Sequence, residues 1–202
     1  MIKVALVDTT GSVTSVVSPS TDSMYEDGAV YGDHVAVHIP YTEDDLEVIT
    51  AWYRKAGEWR VRPPKPSIYH AWDVVSESWT ADTLRACEDR KAEVDSIRRD
   101  RLDMPIAYAG SLFDADATAR LNVSGWQTQL LAGMSLPEGF VWRDADNVDH
   151  PADASFINGL GAAMVGRGTT LYRSAWLHKQ NIEGLASADL SVILSYDVSS
   201  GW

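Results

Sequence analysis

The sequence is short of cysteine, basic residues and long apolar runs. Its single cysteine, Cys87, excludes an internal disulfide and a cysteine-based zinc site, so nothing requires an oxidising compartment. Seventeen Lys and Arg against 29 Asp and Glu give a net charge of −12, which disfavours nucleic acid and anionic lipid as partners. No apolar run approaches the roughly 18 residues of a membrane span, and the N-terminal residues indicate a strand rather than a signal peptide. We therefore expect no membrane insertion.

Tryptophan is what the chain has in excess: eight, against three phenylalanines, in an otherwise ordinary globular composition. Trp52 and Trp59 are seven residues apart, and so are Trp72 and Trp79. Because each pair encloses a turn-like centre, we predict two β-hairpins whose tryptophans cover one face. Between the hairpins, the three prolines of residues 62–67 predict an extended connector, either a stiff spacer or a ligand for an aromatic groove.

The first third of the chain predicts antiparallel β-structure. Residues 3–8 and 13–17 alternate on either side of the turn-forming cluster at 8–11 and predict a hairpin. Residues 34–39 alternate strictly and predict a further strand. Residues 18–33 are rich in turn formers and acids, which is typical of a surface loop.

Helical spacing replaces alternation after the second hairpin. Thr80 as the N-cap and Pro105 as the stop predict a helix that ends near Asp103, with a thin apolar stripe. Such a stripe favours a solvated linker helix over a weak oligomer seam. Its surface carries three predicted ion pairs at helical spacing: Arg85/Asp89, Lys91/Asp95 and Asp95/Arg99. A weaker capping-box pattern at Thr42 and Asp45 allows a short helical turn near 43–48.

The last hundred residues predict mainly helices. Asp114 or Asp116 caps one helix, which Gly133 ends, and residues 187–196 form a short last one. A long helix between them carries apolar residues at three–four spacing together with four glycines. These glycines indicate either a close helix–helix approach or a break near 166–168.

The charge pattern supports a modular chain. The net charge is −8 over residues 1–53, +2 over 54–101 and −6 over 102–202, which indicates a connecting element between two acidic modules. The predicted fold class is α+β. Its parts are a small N-terminal antiparallel β-domain (1–79), a linker helix (80–104) and a mainly α-helical C-terminal domain (105–202).

Motifs for metal binding or catalysis are weak. Asp144-Ala145-Asp146-Asn147-Val148-Asp149 has oxygen ligands at alternate positions, but a calcium loop needs Gly and Glu where this segment has Asp149 and Ser155. A turn whose Asp and Asn side chains bond their own backbone is the preferred interpretation. The same interpretation applies to Asp114-Ala115-Asp116.

Other chemistry-bearing residues indicate structural roles. His34 and His38 share a strand face at a spacing that differs from the close pair of a metal site. Cys87 is interpreted as a small apolar filler in its helix. The sequence contains neither a nucleophile elbow nor a phosphate loop. We therefore predict no catalytic residue, no cofactor and no metal, and expect that the protein is not an enzyme.

Four segments, in this order along the chain, carry a family resemblance. They are Pro66-Ser67-Ile68-Tyr69-His70-Ala71-Trp72-Asp73 with Trp79, Phe113-Asp114-Ala115-Asp116, Phe140-Val141-Trp142-Arg143-Asp144-Ala145-Asp146-Asn147, and Tyr196-Asp197-Val198-Ser199-Ser200-Gly201-Trp202. The last lacks the final proline of many family members. Together they resemble bacteriophage tail proteins, of tail-fibre and tail-fibre-assembly type, with a C-terminal helical domain of unknown function.

The resemblance implies a structural component of a phage tail, associated with the baseplate or a tail fibre, without catalytic residues. It would be assembled in the host cytoplasm and located in the virion, bound to other tail, baseplate or tail-fibre proteins. Self-association into a homo-oligomer is left open. The alternatives are a tail-fibre assembly chaperone and a host-glycan-binding module. The candidate partner contacts are Trp52, Arg54, Trp59, Arg60, Arg62, Trp72 and Trp79.

Overall fold

A computed structural model describes residues 2–20, 25–40 and 43–202 of the chain. It divides the protein into two compact units, Met1–Asp82 and Thr83–Trp202. The first unit contains antiparallel strands and one short helix, and the second contains the long helices. The predicted α+β class is confirmed.

A four-stranded antiparallel sheet forms the first part of unit 1. Its strands are β1 (Ile2–Asp8), β2 (Val13–Val17), β3 (Val30–Tyr31) and β4 (His34–Pro40), in the order β2-β1-β4-β3. The predicted hairpin and the predicted strand at 34–39 are confirmed. The two-residue β3 lies inside the predicted surface loop. The local sequence does not predict that this segment pairs with β4.

Helix α1 (Asp45–Ala51) packs its buried Val48 on this sheet. Its N-cap is Asp44, whose carboxylate accepts the Glu47 N–H at 2.9 Å. The short helix predicted near 43–48 is thus present, whereas Thr42 lies outside the described residues. Val48 contributes to a core of small and β-branched residues from strands β1, β2 and β4: Ala5, Val7, Val13, Val37 and Ile39.

The two predicted tryptophan hairpins are confirmed. The first pairs β5 (Trp52–Lys55) with β6 (Glu58–Val61), and the second pairs β7 (His70–Asp73) with β8 (Ser78–Ala81). The first hairpin turns through Ala56 and Gly57, both with positive φ, as a tight two-residue hairpin loop requires. Residues 62–67 adopt neither helix nor strand, as their prolines predict.

Gly11 joins the sheet to the first tryptophan hairpin. The Arg54 N–H donates to the Gly11 carbonyl at 2.8 Å, and Ser12 forms a β-bridge with Tyr53. Gly11 has a φ of +88°, and a Cβ at this position would overlap the Arg54 carbonyl oxygen. Glycine is therefore required here by both its backbone conformation and the close approach.

Unit 2 is built from four helices and two small hairpins. The helices are α2 (Thr83–Asp103), α3 (Ala117–Leu131), α4 (Ala154–Gly184) and α5 (Leu190–Ser195). The hairpins pair β9 (Ile106–Tyr108) with β10 (Ser111–Phe113) and β11 (Val141–Arg143) with β12 (Asp149–Pro151). Their core is the fully buried Phe113 packed with Val123, Ile157 and Leu160.

Helix α2 differs from its prediction at its start and in its surroundings. Thr80 is not its N-cap, because Thr80 lies in β8 and α2 begins at Thr83. The helix groups with the second unit rather than standing apart as a linker: Ala86, Cys87 and Val94 are buried in it. The Cys87 Sγ lies 3.5 Å from the Ile182 carbonyl oxygen, which agrees with its interpretation as a buried filler.

The predicted ion pair between Lys91 and Asp95 is also wrong. Lys91 binds Glu88 and Glu183, and Asp95 binds Lys179 of α4 at 2.7 Å. Both side chains thus reach across to α4, which spacing along one helix does not reveal.

The ends of α3 are as predicted. The Asp116 carboxylate accepts the Ala119 N–H at 2.8 Å, and Gly133, with a φ of +83°, follows the helix end. Helix α4 runs unbroken over 31 residues, so the predicted alternative of a break near 166–168 is wrong. The predicted close helix–helix approach is confirmed at Gly161, where a Cβ would overlap Gln127 of α3, whereas at Gly159 a Cβ would overlap Tyr108 of strand β9.

Candidate functional site

The four tryptophans predicted as partner contacts pack in two pairs, one on each hairpin. The ring centroids of Trp72 and Trp79, which lie directly opposite, are 5.2 Å apart in an edge-on arrangement. Trp52 and Trp59 are diagonal neighbours at 5.8 Å, because Trp59 pairs with Arg54 across the hairpin. All four side chains are partly buried. Each hairpin is thus stabilised by its own aromatic pair.

Tyr53 of the first hairpin packs against the second hairpin. Its ring is almost fully buried and lies 5.1 Å from Trp72, while Trp52 and Trp59 pack against the core of the four-stranded sheet. The indole N–H groups of Trp52 and Trp72 are buried and find no acceptor among the described residues. Burial of these rings therefore outweighs the cost of leaving two donors unpaired. The four tryptophans are thus partly buried packing residues of unit 1.

The proline-rich connector lies on the second hairpin. The Trp79 indole N–H donates to the Pro63 carbonyl at 2.9 Å, and the Lys65 ammonium is 5.8 Å from the centre of the Trp79 ring. This aromatic contact holds an extended segment that has no ladder partners of its own.

The three arginines predicted as partner contacts make different interactions. Arg54 lies 6.0 Å from the Trp59 ring, and Arg62 lies 6.0 Å from the Tyr53 ring and donates to the Thr50 carbonyl. Burial lowers the pKa of Arg62. Arg60 binds the Glu77 carboxylate at 2.8 Å and keeps its side chain 41% exposed.

Glu77 joins the two hairpins. Its carboxylate also accepts from Lys55 at 2.6 Å, so two cations of the first hairpin meet one anion of the second. The hydrogen bond from Lys55, together with the positive charge of Arg60, lowers the pKa of Glu77 against the opposing effect of burial.

A cavity of about 510 Å³ in unit 1 is lined by the β1–β2 turn and by the tips of both tryptophan hairpins. The carboxylate there is Asp8, which accepts hydrogen bonds from the backbone and hydroxyl of Thr10 and from the Ser12 N–H. Burial acts to raise the pKa of Asp8, but these hydrogen bonds outweigh it and lower the pKa. The carboxylate holds the turn that carries Gly11.

The predicted turn at Asp144 is confirmed. The Asp144 side chain is 7% exposed and accepts the N–H groups of Asp146 and Val148 at 3.0 and 2.9 Å. Its other oxygen is 2.7 Å from His150 Nε2, and this contact is the main reason that the pKa of Asp144 is lowered. Among the described residues there is no group of three or more His, Cys, Asp or Glu that could hold a metal ion.

The remaining histidine predictions also concern structure. His38 donates from Nε2 to the Tyr25 carbonyl at 2.8 Å, which ties β4 to the segment before β3. His34 and His38 are four positions apart on β4. On the neighbouring strand β1, His34 pairs with Asp8 and His38 with Val4.

The segment 196–202 docks on α4 around the buried His178. His178 Nδ1 is 2.9 Å from the Tyr196 hydroxyl, and Nε2 donates to the Ser200 carbonyl at 2.9 Å. The Trp202 ring stacks on the imidazole at 5.2 Å. Asp197 accepts from the backbone and hydroxyl of Ser199, which lowers its pKa to about 2. These residues secure the segment to the helical unit.

One exposed surface, on the outer side of α4, was not predicted from the sequence. Of the eight tryptophans, Trp176 has the most exposed position, with 68% of its surface accessible. Tyr172 and Val165 on the same helix are 58% and 69% exposed. Their spacing of seven and four residues places them together on one face, turned by roughly 120° from the buried Leu171. This spacing could have indicated the exposed surface from the sequence. The buried face of the same helix, however, has the more prominent apolar pattern.

The geometry defines a two-unit α+β protein whose predicted motif residues serve its own folding. The family described as Domain of unknown function (DUF4376) matches residues 85–198, which is more than half of the chain, and the protein belongs to this family. No curated protein and no solved structure matches the chain. Within the described ranges, no helix has both the length and the hydropathy needed to cross a membrane.

Proposed function

We propose that the protein is a structural component of a bacteriophage tail, associated with the baseplate or a tail fibre. It acts through contacts with other tail, baseplate or tail-fibre proteins, and is located in the virion after assembly in the host cytoplasm. The resemblance of four segments, in order, to phage tail proteins carries the proposal. It implies no catalytic residue and no cofactor.

The roles of the motif residues support a structural protein. Asp116 caps α3, Asp144 closes the β11–β12 turn, and Tyr196 and Trp202 fasten the C-terminal segment to His178. Polar residues in catalytic motifs must keep a face open to substrate. Here the motif side chains are engaged in hydrogen bonds and ring contacts of the unit itself.

The contact surface of unit 1 follows from what the hairpins leave exposed. The tryptophans are largely used in packing, whereas Val61 is 66% exposed on β6 between Arg60 and Arg62. Because neighbouring residues of a strand point to opposite faces, Val61 shares its face with Trp52 and Trp59, and it offers an apolar contact to another tail protein.

Quantitative mass spectrometry of purified virions tests the proposal. We expect the chain in particles at a fixed ratio to a baseplate or tail-fibre protein. Val61→Asp is expected to reduce incorporation, whereas Val75→Asp, at an 85% exposed loop position of the same unit, is expected to leave it unchanged. Absence of the chain from particles, with co-purification of free fibre subunits, would favour the assembly chaperone and contradict the structural role.

The host-glycan alternative requires an aromatic face open to a sugar ring. Because the tryptophans of each hairpin pack edge-on as a pair, and Trp72 also packs against Tyr53, their faces do not favour it. Binding on a glycan array that is lost in Trp79→Ala would support this alternative instead.

A further inference from the structure

The exposed faces of α2 and α4 differ sharply in charge. Eight of the eleven exposed positions of α2 are charged, as is usual for a solvated helix face. In α4 only two of the sixteen exposed positions are charged, Arg173 and Glu183. A helix that buries one face and keeps the other nearly uncharged has the pattern of a helix lying between two packed layers. The second layer is absent from the described residues.

The uncharged face of α4 has the spacing of a coiled-coil seam. Exposed positions follow one another at alternating steps of three and four residues: Ser155, Asn158, Ala162, Val165, Thr169, Tyr172 and Trp176. This set of seven residues is here termed the outer seam. The inner, buried face of α4 is separate from it and carries Leu160, Met164, Leu171 and Ala175. Helix α4 therefore presents two seams, of which its own unit covers one.

We propose that the outer seam binds the outer seam of a second copy of this chain in an antiparallel arrangement. The sizes of its side chains are complementary in this arrangement. Small residues occupy its first half and large residues its second, so antiparallel pairing centred near residue 167 places Trp176 against Asn158 and Tyr172 against Ala162. A parallel pair would instead stack each aromatic on its own copy and leave small residues facing one another.

The distribution of charge also favours the outer seam as the surface where two copies meet. Two copies of a chain with net charge −12 repel each other over most of their surfaces, whereas the outer seam contains no charged residue. Arg98 stacks over Tyr172 at 4.3 Å, which holds this ring in place beside the seam. A second copy can therefore approach here without bringing like charges together.

The size of the seam predicts a reversible dimer. The helix segment that carries it, residues 155–176, spans about 33 Å, and a helix face about 10 Å wide gives a footprint of about 330 Å² per copy. Standard interfaces bury about 800 Å² per partner. The dimer is therefore expected to form and dissociate with protein concentration.

Sedimentation velocity of the full chain over a roughly hundredfold concentration range tests the proposal. The wild type is expected to shift from monomer to dimer. Trp176→Glu and, as an independent seam variant, Thr169→Asp are expected to weaken dimerisation at least about tenfold by desolvating a charge in the seam. Leu84→Glu is the matched control, because Leu84 is also 68% exposed but lies on the charged face of α2. It is expected to associate as the wild type does.

Disulfide cross-linking tests the orientation. Ala162→Cys and Arg173→Cys chains are mixed and oxidised, and the antiparallel pair is expected to give the mixed 162–173 disulfide. In a parallel pair these positions are about 16 Å apart along the axis, beyond the reach of a disulfide. Wild-type protein that stays monomeric throughout, seam variants that dimerise like the wild type, or exclusive 162–162 and 173–173 products would overturn the proposal.

Discussion

The tryptophans of the two hairpins and the tryptophan of α4 have opposite surroundings. Trp52, Trp59, Trp72 and Trp79 are partly buried against each other, whereas Trp176 extends into solvent from a helix whose inner face is already covered. Isolated two-stranded hairpins are marginal in water, so each needs large side chains to bury sufficient apolar surface. Helix α4 instead buries apolar surface with the aliphatic residues of its inner face.

The contrast shows that residue type alone does not identify a contact surface. The same side chain stabilises unit 1 where strands bring two rings together, and remains available in unit 2 where the helix turns it outward. Substitutions that distinguish engaged from available residues therefore test the assignment directly.

The largest effect is expected at the glycine that joins the sheet to the first tryptophan hairpin. Gly11→Ala combines a φ of +88° with overlap of the Arg54 carbonyl, and we expect a loss of at least about 3 kcal/mol in the free energy of unfolding of unit 1. Gly57→Ala, with a φ of +85° and nothing within 4 Å, is expected to cost about 1 kcal/mol. Segment-resolved hydrogen exchange measures both; equal losses would contradict the importance of the close approach.

Trp72→Ala is expected to destabilise unit 1 by about 2–3 kcal/mol, because it removes a ring packed against both Trp79 and Tyr53. Trp176→Ala, measured at a concentration where the chain is monomeric, is expected to change the stability of unit 2 by less than about 0.5 kcal/mol. Hydrogen exchange again reports each unit. A stability loss at Trp176 as large as that at Trp72 would remove the distinction between the two regions.

Arginines within α4 show the same difference. Arg167 donates to the carbonyls of Leu102, in the last turn of α2, and of Met104 and Pro105, just beyond it, so Arg167→Met is expected to cost about 1–2 kcal/mol by leaving the last two acceptors unpaired. Arg173→Met, at an exposed position two turns away, is expected to stay within about 0.5 kcal/mol. Chemical denaturation of the two variants provides the comparison, and a neutral Arg167→Met would show that solvent satisfies these carbonyls.

The smallest effect is expected from acid. The pKa of Asp197 is about 2, below its ordinary value of 3.8, so its contribution is fully present above about pH 4 and is lost as the pH falls through about 2. Asp197→Asn is therefore expected to lower the Tm at pH 5, by an amount that shrinks between about pH 4 and about pH 2. Asp189→Asn, which removes a carboxylate that makes no cap hydrogen bond, serves as the control. A difference from the wild type that is constant over this pH range would contradict the role of Asp197.

Local chemistry made several elements predictable. The Asp116 cap, the stop at Gly133 and the Asp144 turn depend on hydrogen bonds between residues at most a few positions apart. The tryptophan hairpins follow from a spacing of seven around a turn. The start of α2 was not predictable in this way, because pairing of β8 with β7 includes Thr80 in a strand before the helix begins.

The candidate site was less predictable than the fold. Spacing correctly placed Trp72 and Trp79 on one face of a hairpin, but whether that face points to solvent depends on Tyr53 and the sheet core beyond it. The role of α2 was obscured for the same reason, since Lys91 and Asp95 bind partners more than 80 residues away in α4.

By itself, then, the sequence determined the α+β class, the Asp116 cap, the turns, the excess of tryptophan and the strongly acidic charge. The tertiary structure decided which tryptophans are buried, which unit α2 joins and which face of α4 is left uncovered. The physical reason is the separation along the chain over which each kind of interaction acts. Caps, turns and periodicity arise from interactions within a few residues, whereas burial of a side chain depends on surfaces brought to it from distant parts of the chain.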